Sequence, residues 1–183
     1  MLEQVLGWAG VVLYILAHGW ISILKRSPKQ GYYIVNLSAA LLIVASSIML
    51  ASWQPVFING FWALVSIAAL LRIQLPSLLL TNRYLALLVA AVFCAGVAGL
   101  LVLGNLGLYI LAWSSVIAFC LSYWRFSAQQ LSQQGYFLFT AYAAFILLPQ
   151  LYLDENWPVF LMEVLWGSLS VAGYLRHRAA KQV

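Results

Sequence analysis

Charged side chains are scarce in this chain. They make up 7% of its 183 residues, whereas hydrophobic residues make up 65%. A soluble domain carries about 25% charged residues, so this chain cannot cover itself with an ordinary water-facing surface. The composition therefore excludes a soluble globular protein and predicts an integral membrane protein, one domain by size, whose surroundings are the lipid bilayer.

Residues that carry out chemistry are also few. The chain has two histidines, two cysteines and four acidic residues. It contains no HExxH helix, no GxSxG elbow and no phosphate-binding glycine-rich loop. We therefore expect no enzymatic activity, no cofactor and no metal site. Cys94 and Cys120 fall inside apolar segments, which favours small buried hydrophobic side chains over a disulfide or a metal pair.

Long apolar runs are what the chain has in abundance. The hydrocarbon core of a bilayer requires about 20 apolar residues per helix, and seven stretches of about that length follow one another. We expect no cleavable signal peptide, because the first stretch lacks a basic region before it and continues into a full span. The predicted fold is all-α, with seven transmembrane helices. The predicted spans are residues 5–24, 32–50, 55–71, 84–103, 106–124, 135–153 and 158–175.

The positions of the charges fit this number of crossings. With seven spans, all nine lysines and arginines fall on one side of the membrane, whereas Asp154 and Glu155 fall on the other. Lys and Arg favour the cytoplasmic side. We therefore expect the amino terminus outside and the carboxyl terminus in the cytoplasm, in a bacterial-type inner membrane. This arrangement accounts for the net charge of +5 without a nucleic-acid partner.

The second half of the chain repeats the first at a shift of 104 residues. Six of the eight tryptophans match in pairs at this spacing, and the QGY and LR motifs at 30–32 and 71–72 recur at 134–136 and 175–176. Chance placement would give about 0.15 tryptophan pairs, so the match indicates an internal repeat. The matching tryptophans are Trp20 with Trp124, Trp53 with Trp157, and Trp62 with Trp166.

Each copy of the repeat contains three predicted spans, and both copies end in an arginine on the same side. The two copies are therefore expected to be parallel, which requires one extra crossing between them. We predict a first three-helix repeat over residues 1–80, a linker transmembrane helix over 81–104 and a second three-helix repeat over 105–183. The linker carries small residues that permit close helix approach, namely Ala91, Ala95, Gly96 and Gly99.

This layout resembles the SWEET sugar transporters and their half-size relatives, the SemiSWEETs; PQ-loop transporters and KDEL receptors share it. The segments LGWAGVVLYILAHGW, GYYIVNLSAA and QPVFINGFWALVSIAAL look most similar to a poorly characterised family of small bacterial membrane proteins built on one three-helix unit. The resemblance implies a central site between two halves, lined in the SWEETs by an asparagine on the third helix of each repeat. The matching positions here are Asn59 and Glu163.

Glu163 stands inside WPVFLMEVLW, a stretch apolar enough to lie in lipid. An acid near the centre of a span costs about 3 kcal/mol on insertion scales. It must therefore face a partner or a wet cavity, or stay protonated. It is either a substrate-contacting or proton-coupling carboxylate, or an acid that pins one helix to another. Trp62 and Trp166 each share a helix face with Asn59 or Glu163, so we predict these four residues as the substrate site, although indoles are equally common packing residues.

Three further polar residues are candidates, with Glu163, for proton coupling or gating. His18 lies about two turns inside the cytoplasmic end of the first span and could relay protons near neutral pH; a hydrogen-bonded structural histidine is the alternative. Asn36 and Thr140 match at the repeat spacing. They either form an inner gate or only satisfy neighbouring helices.

These observations lead to hypotheses from different functional classes. The first is a membrane transporter of a small polar solute (sugar-like, nucleoside-like or a cationic metabolite) that works by alternating access, with or without proton coupling. The second is a non-transporting membrane subunit that assembles with a larger complex or with copies of itself. A third is a ligand receptor similar to the KDEL receptors. The residues do not identify the substrate.

Overall fold

The computed structural model describes the backbone of residues 1–24 and 30–179, and the side chains of residues 1–17 and 30–178. Over these residues the chain forms seven α-helices and no β-strand. The predicted all-α class and the seven predicted helices are confirmed, and no helix end differs from its predicted position by more than four residues. The helices are α1 (Leu2–Leu24), α2 (Gln30–Met49), α3 (Trp53–Leu70), α4 (Asn82–Leu103), α5 (Asn105–Ser127), α6 (Gln133–Leu153) and α7 (Trp157–Ala179).

Six of these helices, α2 to α7, are long and apolar enough to cross a membrane. The first helix is apolar too, but the part of it with described side chains, Leu2–Ala17, is shorter. Large apolar side chains point away from the protein; Leu101 and Val102 on α4 are 84% and 81% exposed. Such surfaces are unfavourable in water and suit a lipid environment. The helices are those of an integral membrane protein.

The chain divides into two units. Unit 1 contains Met1–Gln74 and Asp154–Val159, and unit 2 contains Leu75–Leu153 and Phe160–Val183. The last helix therefore begins in unit 1 and continues in unit 2. The predicted division at residues 80 and 104, into two repeats and a linker helix, stays a prediction.

In unit 1, α2 packs against both α1 and α3. Ala39, Ala40 and Ile43 on α2 are fully buried. A Cβ atom added to Gly10 of α1 would lie 2.6 Å from the Ile43 side chain, so the two helices approach as closely as a glycine allows. Small residues thus set the spacing of this helix pair.

In unit 2, α5 packs against α4 and α6, and the α4–α5 pair is a tight hairpin. A Cβ at Gly96 would lie 2.6 Å from the Leu111 Cα atom, and a Cβ at Gly99 would lie 3.1 Å from the Gly107 Cα atom. The turn between the helices is Gly104, whose φ of 58° and ψ of −124° suit a residue without a Cβ. Gly96 and Gly99 therefore lie at a close helix contact, as expected. Ala91 and Ala95 are exposed.

Cys94 corrects one expectation from the sequence. Both cysteines were expected to be buried, but Cys94 is exposed and Cys120 is half-buried, and both are free thiols. Successive helical residues are about 100° apart around the axis, so Cys94 lies on the side of α4 opposite to Gly96. Because Gly96 packs on α5, Cys94 faces outward. In a soluble protein, an apolar segment predicts side chains buried in the protein core. In a membrane protein, an apolar side chain can face the lipid instead.

Candidate functional site

Polar side chains that are hidden from solvent mark the candidate sites. Burying such groups is costly unless they are hydrogen-bonded, so each one indicates a packing contact or a binding site. Among the described side chains, eight are buried in each unit. In unit 1 these are Asn36, Ser46, Ser47, Ser52, Gln54, Asn59, Ser66 and Asn156; in unit 2 they are Ser114, Ser115, Ser122, Arg125, Thr140, Gln150, Glu163 and Ser170.

The same interhelical hydrogen bond occurs once in each unit. In unit 1, Asn36 Nδ2 on α2 donates to Ser66 Oγ on α3 at 2.9 Å. In unit 2, Thr140 Oγ1 on α6 donates to Ser170 Oγ on α7 at 3.1 Å. Both bonds join residues 30 apart in the chain, and the partners match at the 104-residue shift. These bonds favour the packing role of Asn36 and Thr140; their part in a gate stays a prediction.

We expect Asn36→Ala and Thr140→Ala to destabilise the protein by similar amounts, about 0.6 kcal/mol each, the average for hydrogen bonds between membrane helices. Unfolding of the purified variants in a mild detergent measures this. Ser38→Ala is the matched control, because the Ser38 hydroxyl bonds only to the Ile34 carbonyl of its own helix. A clear loss in one variant and none in the other would show that the two bonds are not equivalent.

Glu163 lies on α7 in unit 2 and is 2% exposed. Its Oε2 atom has no hydrogen-bond partner, and the carboxyl forms no ion pair with any side chain that the structure describes. Burying an unpaired charge is far costlier than burying a neutral polar group. The carboxyl therefore requires a proton or a cationic partner that the described residues do not supply.

The other predicted substrate residues differ from Glu163 in their surroundings. Asn59 is buried, and its Nδ2 atom donates to the Pro55 carbonyl of the same helix at 3.0 Å. Trp62 and Trp166 are half-buried. Asn59 and Trp62 belong to unit 1, whereas Glu163 and Trp166 belong to unit 2, so a site shared by all four stays a prediction. The side chain of His18 lies outside the described residues.

A polar cluster in unit 1 was missed by the sequence reasoning. It joins the turn after α2 to the turn before α7. Ser52 Oγ donates to Asp154 Oδ2 at 2.6 Å, and Asn156 Nδ2 donates to Ser47 Oγ at 3.1 Å. On the same turn, Gln4 Nε2 of α1 donates to a backbone carbonyl, that of Glu155, at 2.9 Å.

One signal in the sequence could have found this cluster. Ser52 and Asn156 occupy matching repeat positions, each directly before a matched tryptophan. The residues before them match in conformation as well, since Ala51 and Glu155 have φ values of 53° and 52°. Left-handed residues of this kind commonly end a helix. The recurrence of a polar residue at the same helix end in both repeats therefore predicts a buried polar contact, even though residues in turns are usually exposed.

Gln54 lies in the first turn of α3, in unit 1. It is fully buried, and neither its Oε1 nor its Nε2 atom has a hydrogen-bond partner. Amides can make up to four hydrogen bonds, so burying this one without any partner is costly. Across the described side chains, no group of three or more His, Cys, Asp or Glu residues could hold a metal ion.

Comparison with protein families supplies an independent observation. A family model matches two segments of the chain, residues 3–78 and 108–181. The chain belongs to this family. The family is bacterial and uncharacterised, in agreement with the expected similarity to a bacterial membrane family. Its match gives no link to the SWEET or PQ-loop proteins, and neither a curated protein nor a solved structure matches the chain.

Proposed function

We propose that this family member is a membrane transporter of a small polar solute, built from two parallel three-helix repeats with α4 as the linker. Two observations support the repeats. The second matched segment starts 105 residues after the first and ends 103 residues after it, close to the 104-residue shift of the tryptophans. The Asn36–Ser66 and Thr140–Ser170 bonds recur at that same shift. Parallel repeats are an established plan for secondary transporters.

Glu163 is the observation that carries the proposal. It is a buried carboxyl with an unpartnered oxygen on a helix that is long and apolar enough to cross a membrane. Acids in such positions are rare and mark substrate or proton pathways. In this proposal Asn59, Trp62, Glu163 and Trp166 contact the solute, which reaches them from either side by alternating access. Glu163 then binds a proton or a positively charged part of the solute.

The proposal places the protein in a bacterial inner membrane with its amino terminus outside. Lys and Arg prefer the cytoplasmic side of a membrane. In unit 2 the described basic residues sit at helix ends: Arg83 lies in the first turn of α4, Arg125 lies in the last turn of α5, and Arg176 and Arg178 lie in the last turn of α7. In the proposed topology all these ends are cytoplasmic.

We expect Glu163→Gln to lower solute uptake about tenfold, because the amide keeps the shape of the side chain and loses a charge-assisted contact. If uptake by the wild type varies with pH, the remaining uptake by the variant should not. The measurement is counterflow in liposomes containing the purified protein, with labelled sugars, nucleosides and cationic metabolites. Glu155→Gln is the matched control, because Glu155 is exposed.

Two results would contradict this function. Glu163→Gln liposomes that match the wild type at every pH would remove the carboxyl from the mechanism. Wild-type liposomes that accumulate none of these solutes, from a protein that co-purifies in fixed stoichiometry with a second membrane protein, would favour the non-transporting subunit instead.

A further inference from the structure

Arg125 is a buried cation with one unpartnered donor. It lies in the last turn of α5 and is 5% exposed. Its Nε atom donates to Asn82 Oδ1 at 2.9 Å, and its Nη2 atom donates to the Gln130 carbonyl at 3.2 Å. The Nη1 atom is buried and has no hydrogen-bond partner. The guanidinium is thus held on two sides and unsatisfied on a third.

No side chain that the structure describes balances the positive charge of Arg125. Asn82 and Gln130 are both neutral, and no carboxylate among the described side chains forms an ion pair with Arg125. The acidic residue of unit 2 is Glu163. Glu163 precedes Arg176, in the last turn of α7, by 13 residues. This separation places the carboxyl roughly 20 Å along the helix from the basic end of α7. A guanidinium stays charged in proteins, and a buried charge without a partner is strongly destabilising.

The surroundings of Arg125 add further positive potential. Asn82, which accepts the Nε bond, is the first residue of the 22-residue helix α4. The amino end of a helix carries about half a positive charge. At this end the Thr81 hydroxyl accepts from the Tyr84 N–H at 3.4 Å, whereas the N–H groups before it have no partner within the helix. Arg83 directly follows Asn82 in the chain. Aromatic contacts hold the end of α5, the start of α6 and the end of α7 close together. The ring centroids of Phe126 and Tyr136 are 4.6 Å apart, and those of Phe137 and His177 are 5.8 Å apart.

Further hydrogen bonds hold the end of α5, where Arg125 lies. Gln130 Nε2 donates to the Leu78 carbonyl, and Gln130 Oε1 accepts from the Leu78 N–H, both at 2.8 Å. Trp124 Nε1 donates to the Pro76 carbonyl at 2.8 Å. These bonds attach the segment before α4 to the end of α5. The donor on Arg125 is therefore positioned before any ligand arrives.

We propose that Arg125, together with the amino end of α4, binds a phosphate oxyanion. Arginine forks and helix amino ends are the groups that proteins use for phosphate. The end of a membrane helix lies at the level of lipid headgroups, where basic residues attract anionic lipids. The phosphate can belong to an anionic phospholipid or be free in solution, and the contact with Nη1 is the same. This site does not depend on the proposed transport function.

Binding to the wild-type protein is the first test. The full chain, purified in a neutral detergent, is titrated with phosphatidylglycerol against phosphatidylcholine, and with inorganic phosphate against chloride at equal ionic strength. Bound lipid is counted by native mass spectrometry, and the thermal midpoint is followed in parallel. A shift with phosphatidylglycerol alone identifies a lipid headgroup, and a shift with inorganic phosphate identifies a soluble anion. If neither shifts the midpoint or binds, the proposal is wrong.

Substitution locates the site. Arg125→Gln is expected to raise the half-saturating concentration of the effective ligand about tenfold, because a charge-assisted contact is lost, whereas Arg125→Lys should recover part of the affinity. Arg72→Gln is the matched control: it removes the same charge from an exposed position in unit 1 and should change the concentration less than threefold. Equal losses in the Arg125→Gln and Arg72→Gln proteins would indicate general surface charge and would overturn the site. If Arg125→Gln does not fold, the Arg125→Lys titration and the wild-type result decide.

Discussion

The Gly107→Ala protein is expected to lose about 3 kcal/mol of folding free energy, at the upper end of the usual cost of overpacking. Gly107 lies in the first turn of α5, and an added Cβ would overlap the backbone of Gly99 and Leu100 at the end of α4. Backbone cannot move aside as a flexible side chain can, so the α4–α5 hairpin must open. The loss should appear as a lower thermal midpoint in detergent and a smaller yield of monodisperse protein.

Gly60→Ala is the control for this prediction. Gly60 lies in the middle of α3, and a Cβ added there meets no atom within 4 Å. Alanine is the better helix former by about 1 kcal/mol, so this variant should be as stable as the wild type or slightly more so. If Gly107→Ala unfolds at the same temperature as Gly60→Ala, then α4 and α5 are not in close contact and the hairpin described above is incorrect.

The second large effect is expected to have the opposite sign. Gln54→Met should stabilise the protein by about 2 kcal/mol, because the wild-type amide is buried with both of its polar atoms unpartnered. Methionine has nearly the same shape and no polar group to desolvate. Chemical unfolding in mixed micelles gives the free energy. If Gln54 contacts the solute of the proposed transporter, the same variant should take up less solute despite its greater stability.

The same exchange at Gln130 provides the comparison. Gln130 is half-buried and uses both polar atoms of its side chain to bond Leu78, so Gln130→Met should cost about 1–2 kcal/mol, the usual net value for losing two hydrogen bonds. Opposite signs at positions 54 and 130 are the expected result. A loss of stability at both positions would mean that Gln54 has hydrogen-bond partners in solution and is not an unsatisfied buried amide.

The sequence was sufficient for the helices because lipid imposes one simple requirement on them. Every span needs about 20 apolar residues, so the helix boundaries could be predicted without knowing any contact. Glu163 could be singled out for the same reason, as a carboxyl that violates the requirement. Asn36 was also identified, but its partner Ser66 could not be, because pairing depends on how two helices rotate against each other.

The missed residues show what hydropathy cannot provide. Arg125 reads as an ordinary charge at the end of a helix, yet it is buried and donates to Asn82 and to the Gln130 carbonyl. Gln54 reads as a polar residue at a membrane boundary, yet it is enclosed. Cys94 shows the reverse error, since an apolar neighbourhood in lipid does not imply burial. In each case the outcome depends on tertiary packing.

The discontinuous composition of unit 1 has a consequence for biosynthesis. Its residues Met1–Gln74 leave the ribosome long before Asp154–Val159, and until then Ser47 and Ser52 lack the partners that these later residues provide. At roughly 5–20 residues per second, translation of the intervening chain takes several seconds. Throughout that interval the polar turn after α2 lacks these hydrogen bonds, and unit 1 is completed only after the start of α7 has been synthesised.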